Sequence, residues 1–140
     1  MSADFIDSNV IVYLLDERDP EKRATAERLI YPALDTGDAQ ISFQVVQETL
    51  NVITRKLQTP VTPPDAQRFL NDVLLPLWRI MPSQALYQSA LDLHARYQFS
   101  FYDSLIIAAA LAAGCTRLYS EDLQHGQRIE GLTIENPFAT

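Results

Sequence analysis

Four acidic residues, Asp7, Glu48, Asp103 and Asp122, have the types and placement that carry chemistry in this chain. Asp7 closes the alternating segment Ala3-Asp4-Phe5-Ile6-Asp7, and Asp122 follows the strand-like run Arg117-Leu118-Tyr119-Ser120. In an open parallel α/β sheet, ligands bind outside the carboxyl ends of the strands, so these two acids are expected on one rim. Asp103 opens an apolar helix, whose N-terminus favours negative charge by roughly 0.3–1 kcal/mol. Glu48 lies on a helix expected from Phe43 to Leu57, away from its stripe Val46, Leu50, Ile53 and Leu57. Val45 and Val52 nevertheless flank it, which a wholly solvated face would not require. Carboxylates brought together repel, and a shared cation relieves the repulsion. An all-oxygen ligand set suits a hard ion, Mg²⁺ or alternatively Mn²⁺. Such an ion activates water for phosphodiester hydrolysis without a covalent protein nucleophile. The sequence is compatible with one ion or two.

Taken singly, each acid has a plainer explanation: a helix cap or first-turn charge for Asp7 and Asp103, a solvated helix position for Glu48, a turn for Asp122. The argument is joint. Glu121 adjoins Asp122, and by sequence either reaches the metal. Asp4 alternates with Ile6 onto the face opposite Asp7, which places it outside the site. His94 lies near an apolar helix stripe and reads as structural, whereas His125 follows Asp122 closely enough to touch a phosphate. Cys115, the sole cysteine, excludes an internal disulfide and reads as a small buried hydrophobe. No G-x-S-x-G elbow supports serine hydrolysis, and no suitably placed late-strand lysine supports a phospho-acceptor receiver.

The elements that must position these acids follow from periodicity and turn chemistry. A strand ending at Asp7 gives way at Ser8-Asn9, both good N-caps, to a helix carrying Val10, Ile11, Tyr13, Leu14 and Leu15. Pro20 starts a second helix that breaks at Thr36-Gly37-Asp38. A short strand Ala39–Ser42 leads into the Phe43–Leu57 helix. Pro60, Pro63 and Pro64 mark a loop and the next helix, with Ala66, Phe69, Leu70, Val73, Leu74 and Leu77 apolar and Pro76 distorting its end. A brief strand is expected at Ile80-Met81-Pro82, then a helix capped by Ser83 with the stripe Leu86, Ala90, Leu93 and Tyr97. A helix from about Tyr102 to Ala113 is apolar on every side from Leu105, and Gly114 stops it. After the strand Arg117–Ser120, the stretch Glu121–Arg128 reads as irregular or one helical turn, and Leu132–Glu135 as a final edge strand. Short strands alternating with longer helices indicate an α/β fold with a parallel sheet covered on both faces.

The 140 residues suit a single domain, 1–140. A hydrophobic fraction of 47%, a charged fraction of 21% and only four glycines are those of a globular chain rather than a disordered or loop-dominated one. No apolar run approaches the roughly 20 residues that cross a bilayer, and no basic-then-apolar leader opens the chain, so a cytoplasmic protein without membrane contact is expected. The net charge of −7 is unusual for a nucleic-acid binder, although a metal-holding acidic site adds negative charge by design. Arg18, Lys22, Arg23 and Arg28, then Arg55 and Lys56, are the basic clusters, each of which also reads as a solvated helix face.

Four ordered segments carry a family resemblance: Phe5-Ile6-Asp7-Ser8-Asn9-Val10, Val46-Gln47-Glu48, Phe101-Tyr102-Asp103-Ser104-Leu105-Ile106-Ile107-Ala108-Ala109-Ala110 and Leu118-Tyr119-Ser120-Glu121-Asp122-Leu123. They resemble the signature segments of PIN domains, across nearly the whole chain. One Asp-Ser-Asn is a weak signal, but four in order are a strong one. The resemblance implies a three-layer α/β/α PIN-like fold with a short, mostly parallel central sheet. Position by position, it implies Asp7, Glu48, Asp103 and Asp122 as catalytic acids. Asp7, Asp103 and Asp122 would hold the metal, Glu48 would do so directly or through water, and Asn9 and Ser120 would support them; it also favours Asp122 over Glu121. A compact chain with little beyond this core is similar to VapC toxins. That implies a Mg²⁺-dependent endoribonuclease, homodimeric, silenced by an antitoxin protein whose C-terminal peptide covers the acidic groove. Apolar positions on the Ala66–Leu77 helix, if exposed, are a second pointer to a homodimer, though they read equally as core. An RNA-processing PIN nuclease without an antitoxin and a noncatalytic PIN-like interaction module are the competing readings. Which RNA is cut, and which antitoxin binds, is not written in the sequence.

Overall fold

The computed structural model describes residues 4–57 and 59–139; Ala3, expected in the first strand, lies outside them. Strand β1 (Asp4–Ile6) ends in a short helix α1 (Ser8–Ile11) and a 3₁₀ turn, Val12–Leu14. The cap of α1 is Asp7 itself, not Ser8 or Asn9: its backbone is extended and its side chain accepts the Ser8 N–H. Helix α2 (Pro20–Thr36) is capped by Asp19 and closed by Gly37 at φ 77°, a left-handed conformation that glycine adopts without steric penalty. Strand β2 (Ala39–Ser42) is followed by α3 (Phe43–Asn51).

The expected Phe43–Leu57 helix keeps its length, but its last part, Val52–Lys56, widens to a π turn. There the Thr54 hydroxyl donates to the Leu50 carbonyl at 2.7 Å, competing with the regular helical ladder. The next helix is broken in the same way: α4 (Pro63–Phe69), a π turn (Leu70–Leu74), then α5 (Leu75–Leu77). Pro76 has no N–H and its ring crowds the carbonyl four residues back, so the wider turn ahead of it is the distortion expected. The apolar residues of this helix are mostly core, with Phe69, Val73, Leu74 and Leu77 buried. Leu75 is the large apolar residue this helix leaves exposed among the described residues.

Strand β3 is Trp78–Ile80 rather than Ile80–Pro82, because Pro82 cannot donate to a ladder. Helices α6 (Gln84–Tyr97) and α7 (Phe101–Ala112) follow, capped by Ser83 and Ser100, then β4 (Arg117–Tyr119). The stretch after β4 is irregular up to β5 (Arg128–Ile129), which pairs antiparallel with β6 (Leu132–Glu135). Leu132–Glu135 is thus not an edge strand: β5 covers it. Two residues carry no readable period, so β5 had no sequence signal.

The sheet order is β3-β2-β1-β4-β6-β5, parallel throughout except for the β5–β6 pair. The chain moves outward from β1 to β3 and then returns to place β4 on the other side of β1. Right-handed crossovers running in opposite directions put their helices on opposite faces of the sheet. Helices α2 to α5 therefore cover one side, and α6 and α7 the other. Phe5, Ile41, Leu118 and Ile134, on four neighbouring strands, are fully buried between these layers. This is the mostly parallel, helix-flanked α/β sheet expected. The reversal of strand order between β1 and β4 opens a crevice at their carboxyl ends. No helix among the described residues is long and apolar enough to cross a membrane.

Candidate active site

At that crevice the Asp7 N–H donates to the Tyr119 carbonyl at 2.9 Å, locking the ends of β1 and β4 together. The Asp7 carboxylate is 6% exposed. Its Oδ1 accepts the Ser8 N–H at 2.7 Å, and its Oδ2 accepts the Ser120 hydroxyl at 2.9 Å and the Asn9 amide at 3.2 Å. Asn9 also donates to Ser120 Oγ at 3.3 Å, while its Oδ1 accepts the Glu121 N–H at 2.9 Å. Asn9 and Ser120 thus hold Asp7 and tie it to the segment after β4.

Glu48 joins from α3. The Ser8 hydroxyl donates to its Oε1 at 3.2 Å, and Gln44, one helical turn earlier, reaches its Oε2 at 3.5 Å. The same Gln44 amide donates to the Tyr102 carbonyl at 3.1 Å, linking Glu48 to the first turn of α7. Asp103 stands in that turn, half-exposed, with its N–H capped by Ser100 Oγ at 3.1 Å. Asp122 is exposed on the far rim of a cleft of about 380 Å³ that Ser8, Asn9, Glu48, Lys56 and Glu121 also line.

Burial raises the Asp7 carboxyl most, the Ser120 and Ser8 hydrogen bonds pull it down and the Glu48 and Asp122 charges push it up, which together leave it at about 6. The Glu48 and Asp122 charges therefore act on Asp7, whereas Asp103 is linked to Glu48 through Gln44 and the α7 backbone. Among the described residues, no three His, Cys, Asp or Glu side chains are gathered closely enough to hold an ion by themselves. Mg²⁺ is ordinarily bound through one or two carboxylates while keeping several waters. An Asp7–Glu48 pair with further acids on the rim matches that requirement. A buried carboxylate repelled by two neighbours, together with a Gln44 Oε1 that is buried without a hydrogen-bond partner on the side chain that reaches Glu48, fits a hard divalent cation.

Other candidates fall away from this cleft. Asp4 pairs with Arg117 at 3.0 Å. His94 bonds the Phe99 carbonyl, and His125 accepts the Asn136 N–H at 2.9 Å, so each ring ties down a loop. Cys115 is buried, as expected, and burial pushes its thiol up to about 11. Arg18 pairs with Asp16 at 2.9 Å, Arg23 approaches Glu27 at 3.9 Å and Arg28 donates to Thr25, leaving Lys22 and Lys56 as the basic residues near the acids. A larger groove of about 770 Å³, between the Val12–Leu14 turn and α4, contains none of the four acids. The bridging roles of Ser8 and Gln44 were not read from the sequence. For Gln44 a signal existed, since it precedes Glu48 by four residues on one helix face.

A fold of this strand order with acids at its switch point defines a class, and the sequence confirms it: a family model of the PIN domain matches residues 5–128, and the chain belongs to that family. Solved structures give the particulars. The chain is similar to a toxin–antitoxin complex from Klebsiella pneumoniae, with 18% identity over 98% of this chain and 99% of that one and a TM-score of 0.69. It is also similar to FitAcB from Neisseria gonorrhoeae, at 21% identity over 98% and 99% of the two chains, TM-score 0.66. The sarcin–ricin loop cleaving toxin VapC20 of Mycobacterium tuberculosis matches at 20% identity over 85% and 89%, TM-score 0.62. At these identities the likeness is one of fold, and that fold is VapC-like. No curated protein matches the sequence.

Proposed function

We propose that this chain is the toxin ribonuclease of a VapBC-type toxin–antitoxin pair, hydrolysing RNA phosphodiester bonds with a divalent metal at Asp7, Glu48, Asp103 and Asp122. The observation that carries the reading is the buried Asp7 carboxylate at the β1–β4 switch point, raised to about 6 and facing the charges of Glu48 and Asp122. Burying a mutually repelling acid is costly for a fold and needs a compensating function.

Asp7 would contribute the innermost ligand oxygens, and Asp103 and Asp122 would complete the set from the rims, with Glu48 binding directly or through water. A bound Mg²⁺ or Mn²⁺ supplies the charge that makes water a stronger nucleophile and offsets charge building on the phosphoryl oxygens. In the reaction, water oxygen bonds to phosphorus, the bond to the leaving ribose oxygen breaks, the water loses a proton and the leaving oxygen gains one. Asn9 and Ser120 orient Asp7 Oδ2, while Ser8 and Gln44 hold both oxygens of Glu48, so the acids meet the substrate preorganised. The toxin–antitoxin neighbours support an antitoxin partner, and the resemblance of the sequence to VapC toxins implies a homodimer.

Cleavage-site mapping on total cellular RNA tests the proposal, with the wild type and Asp7→Asn side by side, each with Mg²⁺ and with EDTA. Metal-dependent cuts that Asp7→Asn lacks support it. Cutting that survives in Asp7→Asn, or no cutting by the wild type, would overturn it.

A further inference from the structure

We infer that Lys22 and Tyr13 form a clamp that withholds Glu121 from the metal site, making Lys22 a positioning residue that sets how many carboxylates the ion meets. The inference rests on the function proposed above. It starts from the Ser120-Glu121-Asp122 segment, in which two adjacent acids follow the residue that holds Asp7. Glu121 lines the same cleft as Glu48 and Asp122, so proximity alone does not keep it off an ion there.

Its hydrogen bonds do. Glu121 Oε1 accepts the Tyr13 hydroxyl at 2.7 Å, and Oε2 accepts the Lys22 ammonium. Lys22 also donates to Tyr13 Oη at 3.3 Å, so the three groups form a closed triangle. Two rings wall it in: the ammonium lies 5.1 Å from the Tyr13 ring centroid and 5.3 Å from that of Phe138. Those rings pack edge to face at 5.0 Å. The side chains of Lys22 and Glu121 keep only 33% and 23% of their exposure, so both charges are largely shielded from water. Meanwhile the Glu121 N–H donates inward to Asn9, which holds Asp7. The residue is thus stretched between two anchors, its backbone serving the site and its carboxylate turned away towards α2.

The chemistry gives this a purpose. Mg²⁺ is held loosely by few carboxylates with several waters retained, and added ligand charge tightens divalent binding. A fifth acid swinging in would displace water and raise the repulsion on Asp7. With Lys22 in place the carboxylate count stays at four.

The test is calorimetric titration of Mn²⁺ into the full chain without RNA, paired with the rate of RNA cleavage. In Lys22→Met, which keeps the apolar stem and loses the charge, Mn²⁺ binding tightens by roughly tenfold as a ligand charge is added, and cleavage slows. Lys22→Arg restores both values. The double variant Lys22→Met/Glu121→Gln returns Mn²⁺ affinity to that of the wild type, and Glu121→Gln alone leaves it unchanged. Tyr13→Phe, which keeps its ring against Phe138, shifts affinity in the same direction as Lys22→Met and serves if that variant does not fold. A merely structural role for Lys22 would weaken Mn²⁺ binding instead, and weaker or unchanged binding in Lys22→Met overturns the inference while leaving the nuclease reading intact. Loss of affinity in Glu121→Gln overturns it too, by making Glu121 a ligand. Absence of Mn²⁺ uptake by the wild type overturns both.

Discussion

Replacing Asp7 by asparagine should make the metal-free protein more stable at neutral pH while removing its stabilisation by Mg²⁺. The Asp7 carboxyl stands at about 6 rather than 3.8, mainly because it is buried. Each pH unit of displacement is worth about 1.4 kcal/mol, so ionised Asp7 weighs against the metal-free fold by roughly 3 kcal/mol at pH 7. The sign follows from proton counts: between pH 3.8 and about 6 the folded state holds more protons on Asp7 than the unfolded state. Its contribution is therefore fully present below pH 3.8 and lost as pH rises through about 6. Asparagine removes this loss but faces the Asn9 amide with a donor of its own, at a cost of about 1–2 kcal/mol for the disturbed hydrogen bonds. The net gain at pH 7 in EDTA is about 1–2 kcal/mol, a rise in melting temperature of a few degrees for a domain of this size. Thermal melts of both proteins from pH 4 to 8, with EDTA and with Mg²⁺, measure it. The difference between the two isolates Asp7 from the other acids. An Asp7→Asn protein that melts below the wild type at pH 7 in EDTA, or that gains as much as the wild type from Mg²⁺, would refute the reasoning.

Three further outcomes follow from the same geometry. Asp103→Ala should abolish Mg²⁺-dependent cleavage while changing the melting temperature little, since a half-exposed acid contributes little to folding; full activity would remove Asp103 from the mechanism. Ser120→Ala deletes the hydrogen bond that most lowers the Asp7 carboxyl, so the pH at which metal-free stability falls, followed by melting, should move above about 6, and cleavage should slow. Leu118→Ala, at a fully buried position in the central strand β4, should cost about 2–5 kcal/mol, read by urea denaturation.

Much of this protein is legible in its residue order because the signals are local. The alternation ending at Asp7, the proline and glycine that bound α2, the serine cap of α6 and the all-apolar Leu105–Ala110 run each depend on neighbours within a turn or two. Strand and helix alternation then implies a parallel sheet, and a parallel sheet implies a site at its strand ends. Signals spread over too few residues were lost. Two-residue β5 has no period, β3 lies two residues ahead of its expected place, and the π turns of 52–56 and 70–74 reflect hydrogen-bond competition by Thr54 and the ring of Pro76.

Distances between residues remote in sequence belong to the tertiary structure alone. Whether Glu48 meets Asp7 depends on how α3 lies against α1, 40 residues away along the chain, and the hydroxyl of Ser8 makes that meeting. The partner of Glu121 is of the same kind: only the folded chain brings Lys22, 99 residues earlier, against its carboxylate. Composition and periodicity specify which faces are buried and where strands end, since those follow from short-range sterics and water exclusion. Which charges end up facing one another depends on the long-range packing of the finished sheet.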